Sequence, residues 1–155
     1  MKPIAGILSI LFSSAIMISC SPEIKLQNNL TRDGGRWNID EFKTTVVVST
    51  TPDVPVITQT FNVGEAIFYE SGTGVWIQYD TLTMQNVATY FEWENTSSEV
   101  ILNLEGETEE TTFSVNEVSK DEQWWVRDEE FAVGDVITTT TIEIHLIREQ
   151  ELDNK

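Results

Sequence analysis

Between Trp37 and Arg148 the chain never runs far without a turn signal. Short runs of β-branched and aromatic residues alternate with breaks at Thr51-Pro52-Asp53, Val63-Gly64-Glu65, Ser71-Gly72-Thr73, Asn95-Thr96-Ser97-Ser98, Glu105-Gly106-Glu107, Ser119-Lys120-Asp121 and Val133-Gly134-Asp135. A helical period is hard to find across this stretch, whereas runs of this length and composition are what half-buried strands require. The spacing predicts strands at about 37–49, 56–62, 66–70, 74–80, 88–94, 99–104, 111–118, 122–127 and 135–148. Several alternate cleanly, with Ile142, Ile144 and Leu146 on one face against Glu143 and His145 on the other, and Phe91 and Trp93 opposing Glu92 and Glu94. Strands joined by short connections make an antiparallel meander, and closure removes the exposed edges of such a sheet. The expected fold is all-β, a meander closed into a small barrel of eight or nine strands.

The N-terminus reads differently. Met1-Lys2-Pro3 precedes an apolar run from Ile4 to Ile18 and then Ser19-Cys20. A basic start, a short apolar stretch and a small residue before the cut make a secretory signal, too short for a membrane-spanning helix. Met17-Ile18-Ser19-Cys20 resembles a bacterial lipobox, which implies cleavage after Ser19 and lipidation of Cys20. Cys20 is the only cysteine in the chain, so no intramolecular disulfide can form. The expected organisation is a signal over 1–19, a lipidated tether over 20–34 with a short helix around Ile24, Leu26 and Leu30, a barrel over 35–149 and a tail over 150–155. The expected location is the cell envelope, with the lipid anchor in a bilayer. Ser21 stands where some inner-membrane lipoproteins carry Asp, which favours the outer membrane.

With 9 basic against 26 acidic residues the formal charge is −17. Such a chain lacks the Lys and Arg that nucleic acid binding needs, and it is repelled by anionic lipid. Five Trp and seven Phe oppose a disordered reading of that charge. The carboxylates concentrate at Glu105, Glu107, Glu109, Glu110, Asp128, Glu129 and Glu130. In a meander, loops separated by two strands lie at the same end, so 105–110 and 128–134 should form one acidic rim. Counting turns along nine strands places loops 62–65 and 81–87 and the start of the first strand at that end too, with the tether emerging beside the rim. A cation site or a docking face for a basic protein competes there with solvated loops that limit aggregation. No calcium-loop motif occurs.

Catalytic patterns are missing. His145 is the only histidine and lies beside Glu143 on an outward strand face, the setting of a cross-strand ion pair. It has no second His or Cys for zinc, no G-x-S-x-G elbow supports a serine nucleophile, and no Gly-rich phosphate loop opens a helix. We expect no enzyme, cofactor or metal. The aromatics are better candidates for contact. Of Trp124 and Trp125 one must face in and one out. Trp76 opposes Val75, Ile77 and Tyr79, so either Trp76 and Gln78 make a partly polar interior or a Trp shows on the surface. Trp76, Tyr79, Trp93 and Trp125 are the candidate ligand-lining residues. Phe61-Asn62-Val63-Gly64-Glu65-Ala66-Ile67 is echoed by Phe131-Ala132-Val133-Gly134-Asp135-Val136-Ile137, which we read as one glycine turn used twice.

Gly35-Arg36-Trp37-Asn38-Ile39, Phe68-Tyr69-Glu70-Ser71-Gly72-Thr73-Gly74, Phe91-Glu92-Trp93 and Ile144-His145-Leu146-Ile147-Arg148, together with Cys20, resemble the lipocalin-like lipoproteins of Bacteroidota-type bacteria. The resemblance spans roughly residues 35–149. It implies a small barrel whose closed base holds Trp37, with Arg148 covering it, and whose mouth carries the loop Thr51 to Pro55. It also puts the acidic rim at the closed end and gathers loops 50–55, 71–74, 95–98 and 119–121 at the mouth. The function it favours is a non-catalytic binding module for a small apolar or amphipathic ligand. The alternative is an acidic interaction or inhibitor module that docks a basic partner. Asp80-Thr81-Leu82 resembles the O-glycosylation signal of exported proteins of such bacteria.

Overall fold

The computed structural model describes residues 21–80 and 82–149; the signal segment, Cys20, Thr81 and the tail over 150–155 lie outside the described residues. Eight strands, β1 (Arg36–Val48), β2 (Val56–Phe68), β3 (Thr73–Asp80), β4 (Gln85–Asn95), β5 (Glu99–Leu104), β6 (Thr111–Ser119), β7 (Glu122–Val133) and β8 (Val136–Arg148), follow one another around a closed antiparallel barrel. β1 joins β8 from Trp37↔Arg148 to Val48↔Thr138 and closes it. The expected meander is therefore present, with eight strands.

The ninth strand disappears at Gly64. Sequence reasoning placed a turn at Val63-Gly64-Glu65, but β2 runs straight through it. The glycine is required by a close approach rather than a reversal: a Cβ there would lie 1.9 Å from the Ile77 carbonyl oxygen, where β3 first joins β2. Asn62 takes φ 52 beside it, and the β1–β2 register shifts between Ile39 and Glu41, so the irregularity is a bulge. At the echoing Val133-Gly134-Asp135 the chain does reverse, with Val133 opposite Val136 and Gly134 at φ 61. One motif thus serves two backbones, not one turn used twice.

Losing one turn reverses the end assigned to every later loop. The start of β1 shares its end with the connections at 69–72, 96–98 and 120–121. The opposite end holds 49–55, 82–84, 105–110 and the Gly134 turn. The acidic loop 105–110 therefore lies at the end opposite the start of β1, and loops 71–74, 95–98 and 119–121 lie at the base, not the mouth. Asp128, Glu129 and Glu130 stand on β7 itself rather than in a loop.

The segment expected to be a tether is a plug. A helix, α1 (Pro22–Thr31), is capped by Ser21, whose Oγ accepts from Ile24 N–H at 3.3 Å, and carries Pro at its first turn. It buries Leu26 and Leu30 in the barrel core and leaves Ile24 outside. The following 3-10 turn over Arg32–Gly35 delivers Gly35 at φ 68 against Phe68, where a Cβ would lie 1.9 Å from that residue's carbonyl oxygen. Above the plug the lower barrel is solid. Phe68 contacts Phe91, Trp93 and Trp125 at ring separations of 5.3, 5.5 and 5.6 Å, and Phe113 meets Trp125 at 5.8 Å. Each such ring contributes on the order of 2–3 kcal/mol by leaving water.

Candidate functional site

At the base, Trp37 is fully buried and donates its indole N–H to the Leu30 carbonyl at 3.0 Å, tying β1 to α1. Arg148, the last residue of β8, lies over its ring with the guanidinium carbon 4.1 Å from the centroid. The same guanidinium donates to the carbonyls of Arg32 and Asn29 and to the Asn29 side chain, and its Nε sits 3.3 Å from Asp121 Oδ1. Burial, then the neighbouring Arg32, pulls its pKa below the ordinary guanidinium value. These contacts tie the carbonyls at the end of α1 to the last strand and seal the base.

His145 faces outward. Its ring stacks on Trp124 at 4.2 Å, Nδ1 meets Asp40 at 3.2 Å and Nε2 meets Glu122 at 3.0 Å. The cross-strand carboxylate contacts expected of His145 are therefore present, on β1 and β7, while Glu143 on its own strand pairs with Lys43. Two carboxylates do converge on the histidine, but they occupy both ring nitrogens on the outer face of the barrel. Among the described residues no group of three His, Cys, Asp or Glu is placed to hold a metal ion.

The four candidate liners do not meet in one cavity. Trp93 and Trp125 belong to the filled core, their indoles donating to the Thr73 carbonyl and the Gln123 side chain. Tyr79 is exposed on the outside and its hydroxyl reaches Met84 Sδ at 3.4 Å. Trp76 points inward with Gln78, opposite Ala66, and its buried indole nitrogen has no hydrogen-bond partner among the described residues. Gln78, one step higher, is already exposed. The core thus ends at about the level of Trp76, and the barrel is open above it.

Above that level the wall is uneven. β2 pairs with β1 from Val56 but with β3 only from Gly64, and β7 pairs with β8 to Val133 but with β6 only up to Val126. The strands β2, β1, β8 and β7 therefore rise beyond the rest as a four-stranded wall. Its inward face, read along the pairing, carries Phe131–Thr138–Val48, then Glu129–Thr140–Val46–Val56, then Arg127–Ile142–Thr44–Thr58. Phe131 is 69% exposed and Val56 64%. Val133, Val136, Val54, and across the mouth Leu82 and Met84, are exposed as well. Opposite the tall wall, the low rim is the loop Glu105 to Glu110. Arg127 spans the two, donating to Thr111 at 3.1 Å and pairing with Glu129 at 2.8 Å.

Charge is distributed along the barrel axis. Lys25, Arg32, Arg36, Lys120 and Arg148 lie at the base, leaving Lys43 and Arg127 as the other described basic residues. Glu105, Glu107, Glu109 and Glu110, with Asp53 and Asp135, lie in connections at the opposite end, while on β7 Glu129 faces inward and Asp128 and Glu130 face outward. The arrangement is an open trough with an apolar, threonine-rich tall wall that includes Glu129, and with the acidic loop Glu105 to Glu110 at the top of the shorter strands. Sequence reasoning found its carboxylates but missed its apolar residues, because Val56, Phe131 and Val136 alternate as core residues would. A separate groove of about 670 Å³ crosses the outside of β3–β5, between Tyr69, Tyr90, Asn103 and Glu107.

No protein-family model matches the chain, and no curated protein matches it. Among solved structures, an uncharacterised protein from Bacteroides eggerthii is similar at 10% identity and a TM-score of 0.46, over 74% of this chain and 97% of that one.

Proposed function

We propose that this protein is a non-catalytic docking module that holds a basic, apolar segment of a partner protein in the trough at its mouth. The observation that carries the reading is the concentration of exposed large apolar side chains, Val56, Phe131, Val133, Val136, Leu82 and Met84, at the same end as the acidic rim. Contiguous exposed apolar surface rimmed by charge is the signature of an interaction site. Carboxylates around it steer and select a cationic partner. A small apolar ligand fits this geometry less well, since Trp93 and Trp125 fill the interior and Tyr79 lies outside it.

The envelope location belongs to the same proposal. A lipid on Cys20 would leave no slack, because Ser21 already caps the helix that plugs the base. The base would sit against the bilayer and the mouth would face away from it. The resemblance to lipocalin-like lipoproteins is likewise part of this reading, supported by the base sealed through Trp37 and Arg148.

The test is fluorescence anisotropy with a labelled short peptide alternating lysine and valine, and a glutamate–valine peptide as control. The lysine peptide should bind and weaken as salt rises, and the control should not bind. Reversing Glu107, Glu109 and Glu110 to Lys together, or introducing Phe131→Glu, should weaken binding by about tenfold or more. Lys120→Glu at the base should change nothing. Equal binding of both peptides, or indifference to the mouth substitutions, overturns the reading.

A further inference from the structure

The tall wall leaves two strand edges open, and they are built oppositely. On β7 the free stretch beyond Val126 is Arg127-Asp128-Glu129-Glu130-Phe131-Ala132-Val133, with Asp128, Glu129 and Glu130 exposed. Charges on an edge are the usual protection against pairing with another chain. On β2 the free stretch is Val56-Ile57-Thr58-Gln59-Thr60-Phe61-Asn62, exposed throughout, with no charged residue and with Pro55 only at its start. In a chain of formal charge −17, seven consecutive uncharged residues on an open edge stand apart. At ~3.3 Å per residue the edge is roughly 20 Å long, the length of an ordinary strand.

We propose that this edge of β2 pairs antiparallel with the same edge of a second copy of the chain, forming a two-fold symmetric dimer. A two-fold axis through Gln59 sets Thr58 opposite Thr60 of the other copy, Ile57 opposite Phe61 and Val56 opposite Asn62. Threonine–threonine and aromatic–β-branched pairs are favourable cross-strand neighbours, so the sequence is complementary to itself in this register. Symmetry closes the assembly at two, because the contact uses up the edge in both copies. The β7 edges cannot do the same, since three carboxylates would face three. One strand in from the axis stand Glu41, which accepts from the Gln59 amide at 2.8 Å, and Lys43, the register partner of Gln59, so the local charges are mixed while each whole copy carries −17. Dimerisation therefore works against repulsion and strengthens as salt screens it. Capture of a basic segment at the mouth has the opposite salt dependence, so the two proposals stand or fall separately.

Sedimentation equilibrium of the protein at low and high salt tests the inference. A dimer that tightens as salt rises is expected. Thr58→Glu with Thr60→Glu, and separately Thr58→Lys with Thr60→Lys, should each weaken self-association by about tenfold or more. Mixing the two variants should restore a dimer, since opposite charges then face across the axis. A monomer at high protein concentration in high salt, or a dimer indifferent to these substitutions, overturns the inference. So does a mixture that fails to recover.

Discussion

Trp37 and Arg148 tie three elements together, because one stack joins the first strand, the last strand and the helix. Trp37→Ala should cost about 3–5 kcal/mol, as removal of a fully enclosed indole does. Arg148→Lys keeps the charge but loses the planar fork that reaches the carbonyls of Arg32 and Asn29, and should cost about 1–3 kcal/mol. Both are measured by urea unfolding. Lys43 titrates above the ordinary lysine value, chiefly through its hydrogen bond to Glu143, with burial opposing. Its folded pKa is raised, so the pair's contribution is complete below 10.5 and is lost as pH climbs through the folded value. A thermal melt series at alkaline pH should show that loss in the protein and not in Lys43→Met. At this scale side-chain facing was legible wherever alternation was strict: Ile144 and Leu146 are buried and His145 faces out. Facing was ambiguous at Trp76 because Val75 and Ile77 are apolar too, and only the pairing with Ala66 resolves it.

Among the elements, α1 and β2 were the hardest to read. Only Leu26 and Leu30 of α1 are buried apolar residues, which is too few to announce a packed helix in sequence. Its stability comes from filling the barrel base, so Leu30→Ala should cost about 2–5 kcal/mol by calorimetry although it lies outside the sheet. β2 was split by a glycine whose purpose is contact with β3. Gly64→Ala should lower stability and loosen Gly64–Phe68 from β3, seen as faster amide exchange there than in β8. Glycine in a strand signals either a turn or a close approach, and sequence alone offers no way to choose between them at Val63-Gly64-Glu65.

Over the whole molecule, the antiparallel meander was legible because each of its connections is short. The placement of its ends was not, since parity propagates a single miscounted turn through every later loop. The two acidic segments do share one end, as expected, but it is the end away from the helix plug. That reversal moves the acidic segments from the base to the end that also carries the exposed apolar residues of β2, β7 and β8. The docking claim rests on this juxtaposition, and amide chemical-shift mapping with the lysine–valine peptide tests it most directly. The account predicts shifts at Val46, Val48, Val56, Thr58, Phe131 and Val133 and along Glu105 to Glu110, with Trp37, Arg148 and α1 unmoved. Shifts confined to the base or to the Tyr69–Tyr90 groove, or no shifts at peptide excess, would contradict it.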